Sequence, residues 1–277
     1  MPGSDTFGPL FYDMGQGVTA FSTTRHGGVG EGAYASFNIN EYCGDNPEAV
    51  LRNRRLLADR LGITSDRILM PHQTHGTNTR IVDTELLELP AGERQNRLDD
   101  ADAIMTDVPG VCIGVSTADC IPILLYDADH RAVAAIHAGW RGTLARIASK
   151  AVAGMRAAYH TAPSRLKAVI GPGISLANFE VGDEVYAAFG EAAFDMTAIA
   201  ERQAMRSGGA ACQSEAPVKK WHINLPLANR QILMHSGLAE GNIHMAGICT
   251  YDRVDDFFSA RRLGIRSGRI YTGIMLQ

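Results

Sequence analysis

The 277-residue sequence has no Cys-x-x-Cys pair, no His-x-His pair, no basic excess and no apolar run long enough to cross a bilayer. Each absence excludes something. Structural zinc sites usually show themselves as close cysteine pairs, so a zinc ribbon or finger is not the organising feature here. Without His-x-His pairs, too few ligands exist for a multicopper cluster. The formal net charge is −4, so no positive field draws nucleic acid or an anionic membrane. The apolar runs break within about ten residues, short of the roughly 20 that a membrane-spanning helix needs. The opening MPGSDTFGPLFYDM has neither a basic stretch nor an apolar core and does not read as a secretory signal. The five cysteines, at 43, 112, 120, 212 and 249, are scattered and odd in number. That argues against a disulfide framework and for a reducing compartment. The expectation is a cytoplasmic protein with no nucleic-acid and no membrane partner.

Hydrophobic residues make up 45% of the chain and charged residues 20%, ordinary values for a globular protein able to bury a substantial core. There is no internal repeat. A short strand at 17–23 leads into a loop rich in glycine at 27, 28, 30 and 32. A helix follows, capped by Asn46, with Pro47 in its first turn and Gly62 as its stop. Val50, Leu57 and Leu61 fall near one of its faces. The segment DRILMPHQTHG reads as a strand entering a loop at Pro71. VCIGVSTADCIPILLYD and RAVAAIHAG read as adjacent buried strands joined by a turn at 127–130. From Thr143 the pattern turns helical, with Leu144, Ile147, Ala151 and Met155 in one stripe. LKAVIGPGI is another strand. The stretch 202–220 lacks periodicity and reads as a mobile loop. A helix spans about 226–236, stopped by Gly237. Two last strands, NIHMAGICT and RIYTGIML, frame YDRVDDFFSARRLG. Strands and helices mix without steady βαβ alternation, and no linker-like shift divides the chain. This favours an α+β fold in a single domain, 1–277.

The chemistry concentrates where apolar runs stop. STADC ends on Cys120, AAIHAG reaches His137, and PHQTHG offers His72 and His75. Two imidazoles and a thiolate drawn from separate loops make a three-ligand metal site with an open position, the form of a catalytic rather than a structural centre. The spacing leaves open whether His72 or His75 joins it. An inert core cysteine and a satisfied strand-end histidine are the plainer fates of Cys120 and His137. A third chemistry makes Cys120 a nucleophile with His137 as its base. Among the arginines, Arg25 precedes the glycine-rich loop, where loop amides and a guanidinium would together form an anion nest. Arg141 follows Trp140, and Arg261 and Arg262 sit in FFSARR. Each is suited to phosphate or carboxylate.

Several stretches together resemble one family, from about Gly17 to Leu276: FSTTRHGG, SFNIN, GDNPEAVLRNRRLL, PHQTHG, DADAIMTDVPGVCIGVSTADCIPILLYD, AAIHAGWRGT, IGPGIS and CTYDRVDDFFSARRLG. This is the laccase-domain family, once labelled multicopper polyphenol oxidase and now described as purine nucleoside phosphorylases with adenosine deaminase and methylthioadenosine phosphorylase activity. The resemblance implies a four-layer α/β/β/α fold with mixed sheets. It implies zinc (Zn2+) held by His75, Cys120 and His137, with His72 in a supporting role. It also implies purine nucleosides (adenosine, inosine, guanosine and methylthioadenosine) and phosphate as substrates. Bacterial toxin deamidases share the Cys/His placement, so a metal-free Cys–His hydrolase is the alternative, beside the older oxidase label. Asn178 and Phe179 stand where many members carry Cys or Tyr. On this reading Cys120, His137 and Arg25 are catalytic, Arg25 clamping phosphate, while Asn38 and Arg141 contact substrate. Zinc there would polarise a substrate oxygen or lower the pKa of a bound water. The motif set of other zinc deaminases is absent. The proton donor is left unassigned; Asp119 is near Cys120 in sequence, with the direction of its side chain open.

Overall fold

A computed structural model describes residues 8–204 and 219–277. Its strands, in chain order, are β1 (Leu10–Tyr12), β2 (Val18–Ser22), β3 (Ile68–Leu69), β4 (Thr79–Ile81), β5 (Ala103–Thr106), β6 (Cys112–Thr117), β7 (Ile121–Asp127), β8 (Ala132–Ala138), β9 (Lys167–Ile170), β10 (Glu180–Val181), β11 (Ala200–Ala204), β12 (Lys219–Ile223), β13 (Ile243–Met245) and β14 (Ile270–Leu276). Five form one sheet in the order β1-β2-β14-β6-β3, and six form a second in the order β13-β9-β7-β8-β5-β4. Both are mixed: β3 runs parallel to β6, β4 to β5 and β13 to β9, while the remaining pairs are antiparallel. A third, small sheet pairs β10, β12 and β11.

The period-2 alternation of the strands builds the layers. In β8, Val133 and Ala135 face Ile113, Val115 and Ile274 of the five-stranded sheet, forming an apolar seam between the two sheets. On the other face, Ala134 and Ile136 pack with Ile123 and Leu125 of β7 against Ala151, Val152 and Met155 of the helix Ile147–Tyr159 and Ile232 of the helix Leu225–His235. The outer face of the five-stranded sheet sets Phe21, Cys112 and Tyr271 against Leu57 and Ala58 of the helix Pro47–Leu61. The order is thus helix, sheet, sheet, helices, an α+β fold with the four layers that the family resemblance implies. Each fully buried Ile, Leu or Phe in these seams contributes about 1.5–3 kcal/mol of transfer free energy. The helix Pro47–Leu61 begins and ends as read: the Asn46 side chain accepts from the Glu48 amide, and Gly62 at φ 69° returns its N–H to Ala58 and Asp59.

Three expectations are corrected. VCIGVSTADCIPILLYD is two strands, β6 and β7, in different sheets. The chain crosses between them at Ala118–Cys120, where Asp119 takes φ 88°. The near-continuous apolar run hides this crossing because both strands are buried on both faces. The stripe from Thr143 belongs to two helices, Trp140–Leu144 and Ile147–Tyr159, broken at Arg146 with φ 58°. Within 202–220, strand pairing continues through Ala204 and resumes at Lys219, with Arg202 opposite Trp221. The rest of that expected loop, with Cys212, lies outside the described residues. No helix among the described residues is long and apolar enough to cross a membrane.

Candidate active site

The crossing from β6 to β7 places Cys120 at the rim of both sheets. A positive φ is uncommon for a residue with a side chain, and Asp119 is held there by three contacts. Its buried carboxylate accepts from Thr250 Oγ1 at 2.7 Å and from the Arg261 amide at 2.6 Å. Its carbonyl accepts from the Ile174 amide at 2.8 Å. Asp119 therefore turns its acid group away from reacting atoms and fixes the turn that presents Cys120.

His75 arrives on the loop after β3, also in the left-handed region, at φ 62°. Gln73 ties this loop to β6: its Nε2 donates to the Ser116 carbonyl at 2.8 Å and its Oε1 accepts from the Ser116 amide at 2.7 Å. His137 lies near the end of β8, on the face that looks toward the other sheet. Among the described residues, His75, Cys120 and His137 form the only group of three or more His, Cys, Asp or Glu with metal-ligating atoms drawn together, all within 4.8 Å. Cys120 Sγ is 3.9 Å from His75 Nε2, and the two imidazoles meet edge to face at 4.8 Å between centroids. Tetrahedral zinc bound by two nitrogens and a sulfur separates its ligand atoms by about 3.3–3.6 Å, so a small contraction suffices. The donor set fits zinc.

Asp102 organises this trio. It is fully buried at the start of β5. Its Oδ1 accepts from His137 Nδ1 at 2.7 Å and from the His75 amide at 3.0 Å, while Oδ2 accepts from the Gly76 amide at 2.6 Å. One carboxylate thus fixes the His137 tautomer, leaving Nε2 for a metal, and holds the backbone of the His75 loop. Burial acts to raise the Asp102 carboxyl. The His137 bond and charge, with the Gly76 and Thr74 amides, override it and hold the group below the usual carboxylate range.

Burial likewise acts to raise the Cys120 thiol. The charge of His137, with hydrogen bonds from His137 and His75, prevails and brings it down to about 6. Burial pulls His137 down, but Cys120 and Asp102 together lift it to about 9. The two shifts run in the directions that favour a thiolate beside an imidazolium. Cys112 contrasts with it: full burial pushes its thiol up to about 12.

The trio opens on a cavity of about 650 Å³, also lined by Tyr42, His72, Thr117, Phe179, Arg261 and Arg269. That volume is typical of small-molecule sites. The Thr117 hydroxyl is buried with no hydrogen-bond partner among the described residues. His72 stands apart from the trio: its Nδ1 pairs with Asp99 at 2.7 Å and its ring lies on Tyr42 at 4.5 Å.

Three expected substrate contacts lie elsewhere. Arg25 donates to the carbonyls of Ala35 and Val254 and covers the Phe258 ring. The glycine loop beside it closes on itself: a Cβ on Gly28 would meet Ser36 O at 2.3 Å. The nest expected for phosphate is filled by protein. Asn38 is fully buried and bonded to Asp45 and to the Arg269 amide. Arg141 lies over Trp140 at 4.2 Å, outside the cavity lining. Sequence reasoning missed Asp102, Gln73 and Arg269. Asp102 is one of three acids in DDAD, and nothing in the pattern separates it from Asp99 or Asp100.

Residues 19–277 match the family profile described as multi-copper polyphenol oxidoreductase laccase. The chain is 45% identical over 259 residues to a purine nucleoside phosphorylase of Bacteroides thetaiotaomicron, covering 94% of this chain and 92% of that protein. It is 41% identical over 259 residues to adenosine deaminase RL5 of an unknown prokaryotic organism, covering 94% of each. Among solved structures, YlmD from Geobacillus stearothermophilus superposes with a TM-score of 0.81 at 28% identity, over 96% of this chain and 94% of that one. With the family profile spanning nearly the whole chain, this protein belongs to the multi-copper polyphenol oxidoreductase laccase family.

Proposed function

We infer that this protein is a zinc-dependent purine nucleoside phosphorylase that also deaminates adenosine. The observation that carries the reading is the convergence of His75, Cys120 and His137 on the wall of a cavity with aromatic and cationic lining. Relatives named for both activities, similar over almost their full lengths, support it. His75, Cys120 and His137 would hold the ion. When bound, zinc supplies Lewis acidity toward a substrate oxygen or water. The chain's own residues do the rest. Asp102 keeps the His137 proton on Nδ1. Tyr42 and Phe179 line the cavity and would supply aromatic contact to a purine. In phosphorolysis a phosphate oxygen bonds to the anomeric carbon as the bond to the purine nitrogen breaks. The electron pair leaves with the base, and the proton of hydrogen phosphate ends on the purine. The four free cysteines among the described residues support a reducing, cytoplasmic setting.

A second reading, a metal-free cysteine hydrolase, is favoured by one observation: the Cys120 sulfur lies within 4.8 Å of ring nitrogens of His75 and His137, an arrangement that draws the thiol down. The two separate on a nucleoside panel run with and without phosphate. Base release from inosine that requires phosphate supports phosphorolysis. Activity on amides or esters by chelator-treated protein, abolished by alkylation, replaces it with the hydrolase.

A further inference from the structure

Two arginines, Arg261 and Arg269, line the same cavity as the His75–Cys120–His137 trio, and among the described residues neither forms a salt bridge. Arg261 sits in the short helix Ala260–Leu263. Its backbone amide is pinned by Asp119, and its guanidinium donates to the Glu180 carbonyl through both terminal nitrogens at 3.2 Å, over the Phe179 ring. Arg269 precedes β14. Its Nη1 donates to the Ser267 and Gly268 carbonyls and its Nη2 to that of Ile265. A guanidinium has five donors, so each keeps N–H groups uncommitted. The acid among the cavity-lining residues, Asp119, spends its carboxylate on Thr250 and the Arg261 amide. Two arginines therefore border one cavity, and among the described residues neither has a counter-ion in salt-bridge range.

The geometry points to Arg261 and Arg269 as the subsite for the oxyanion cosubstrate, inorganic phosphate, an assignment that rests on the phosphorolytic reading above. Two fixed cations match the charge of the hydrogen phosphate dianion. Guanidinium forks match its tetrahedral oxygens through charge-assisted, paired hydrogen bonds. The backbone bonds that each arginine already makes orient these forks before the anion arrives, which lowers the ordering cost of binding. Phosphate held there keeps its attacking oxygen in the chamber that contains the metal trio. The same chemistry would also hold the 5′-phosphate of a nucleotide, so the experiment separates the two sources.

Binding of inorganic phosphate is measured by calorimetry on metal-loaded protein, alongside steady-state kinetics with inosine. Arg261→Gln and Arg269→Gln are each expected to weaken phosphate binding and raise the KM for phosphate by at least about tenfold, the loss of a charged hydrogen-bond pair. The KM for inosine is expected to change less. Arg269→Lys, which keeps charge without the fork, is expected to recover part of the loss. Arg262→Gln is the control, because Arg262 bonds to the Tyr251 carbonyl and lies outside the cavity lining; its phosphate KM should match wild type. Melting curves check folding, and Arg261, which is exposed, provides the variant least prone to misfold. Unchanged phosphate binding in both Gln variants overturns the assignment, as does wild-type protein that binds no phosphate. Inosine 5′-monophosphate binding more tightly than inosine, with that gain lost in the variants, reassigns the pair to a nucleotide phosphate and overturns the cosubstrate role. Wild-type protein that binds phosphate through both arginines but never cleaves a nucleoside refutes the phosphorylase reading while leaving the anion subsite standing.

Discussion

Asp102 accepts a hydrogen bond from His137 at 2.7 Å while gathering the amides of His75 and Gly76, so one buried carboxylate sets the geometry of two candidate ligands. Asp102→Asn would set an amide N–H₂ against loop N–H donors. Metal affinity is expected to fall about 10–100-fold, and stability by about 1–3 kcal/mol from the unpaired donors. Competition with a chromogenic chelator and a melting curve measure the two effects.

The thiol of Cys120 offers a pH test on metal-free protein. Its folded-state value, about 6, lies below that of an ordinary thiol, so thiolate persists on acidification until pH falls through about 6. Iodoacetamide should alkylate Cys120 at nearly the same rate at pH 7 and pH 8.5, slowing below pH 6. His137→Ala removes the charge responsible, and the midpoint should move up toward the ordinary thiol range near 8.5. Bound zinc should protect Cys120 throughout. A midpoint unmoved by His137→Ala would show that the imidazolium does not depress the thiol.

Gly139 is packed against the trio. A Cβ there would lie 3.0 Å from Cys120 Sγ and 3.1 Å from His75 Cδ2. Gly139→Ala is expected to cost about 1–3 kcal/mol in overpacking and to weaken metal retention, read by elemental analysis after dialysis. Full retention in a folded variant would show that the three side chains have more room than the structure gives them.

Gln73 closes two hydrogen bonds with the Ser116 backbone. Gln73→Ala frees the His75 loop from β6, and metal affinity should drop while far-ultraviolet circular dichroism stays unchanged. Gln73→Glu keeps the length but sets a carboxylate against the Ser116 carbonyl, so it should not restore binding.

Cys120 and His137 were legible because they sit where strongly apolar strands end, and ends of buried strands are visible as patterns; spacing left His72 and His75 open, and only the family resemblance pointed to His75. The helix Pro47–Leu61 was legible because Asn46, Pro47 and Gly62 act locally. What escaped was non-local. The split at Asp119 depends on Thr250 and Arg261, more than a hundred residues away. Arg25 was misplaced because a glycine-rich loop beside an arginine looks the same whether it encloses an anion or its own backbone. Asp102 and Arg269 gain their roles only when β5 and β14 bring them to the cavity end of the sheets.

The most direct measurement is metal content and phosphate-dependent base release on the same purified samples, wild type against Cys120→Ala. The account predicts about one zinc per chain in wild type, hypoxanthine released from inosine only when phosphate is present, and loss of both in a folded Cys120→Ala. Copper in place of zinc, or full phosphorolysis by a chain that holds no metal, would contradict it.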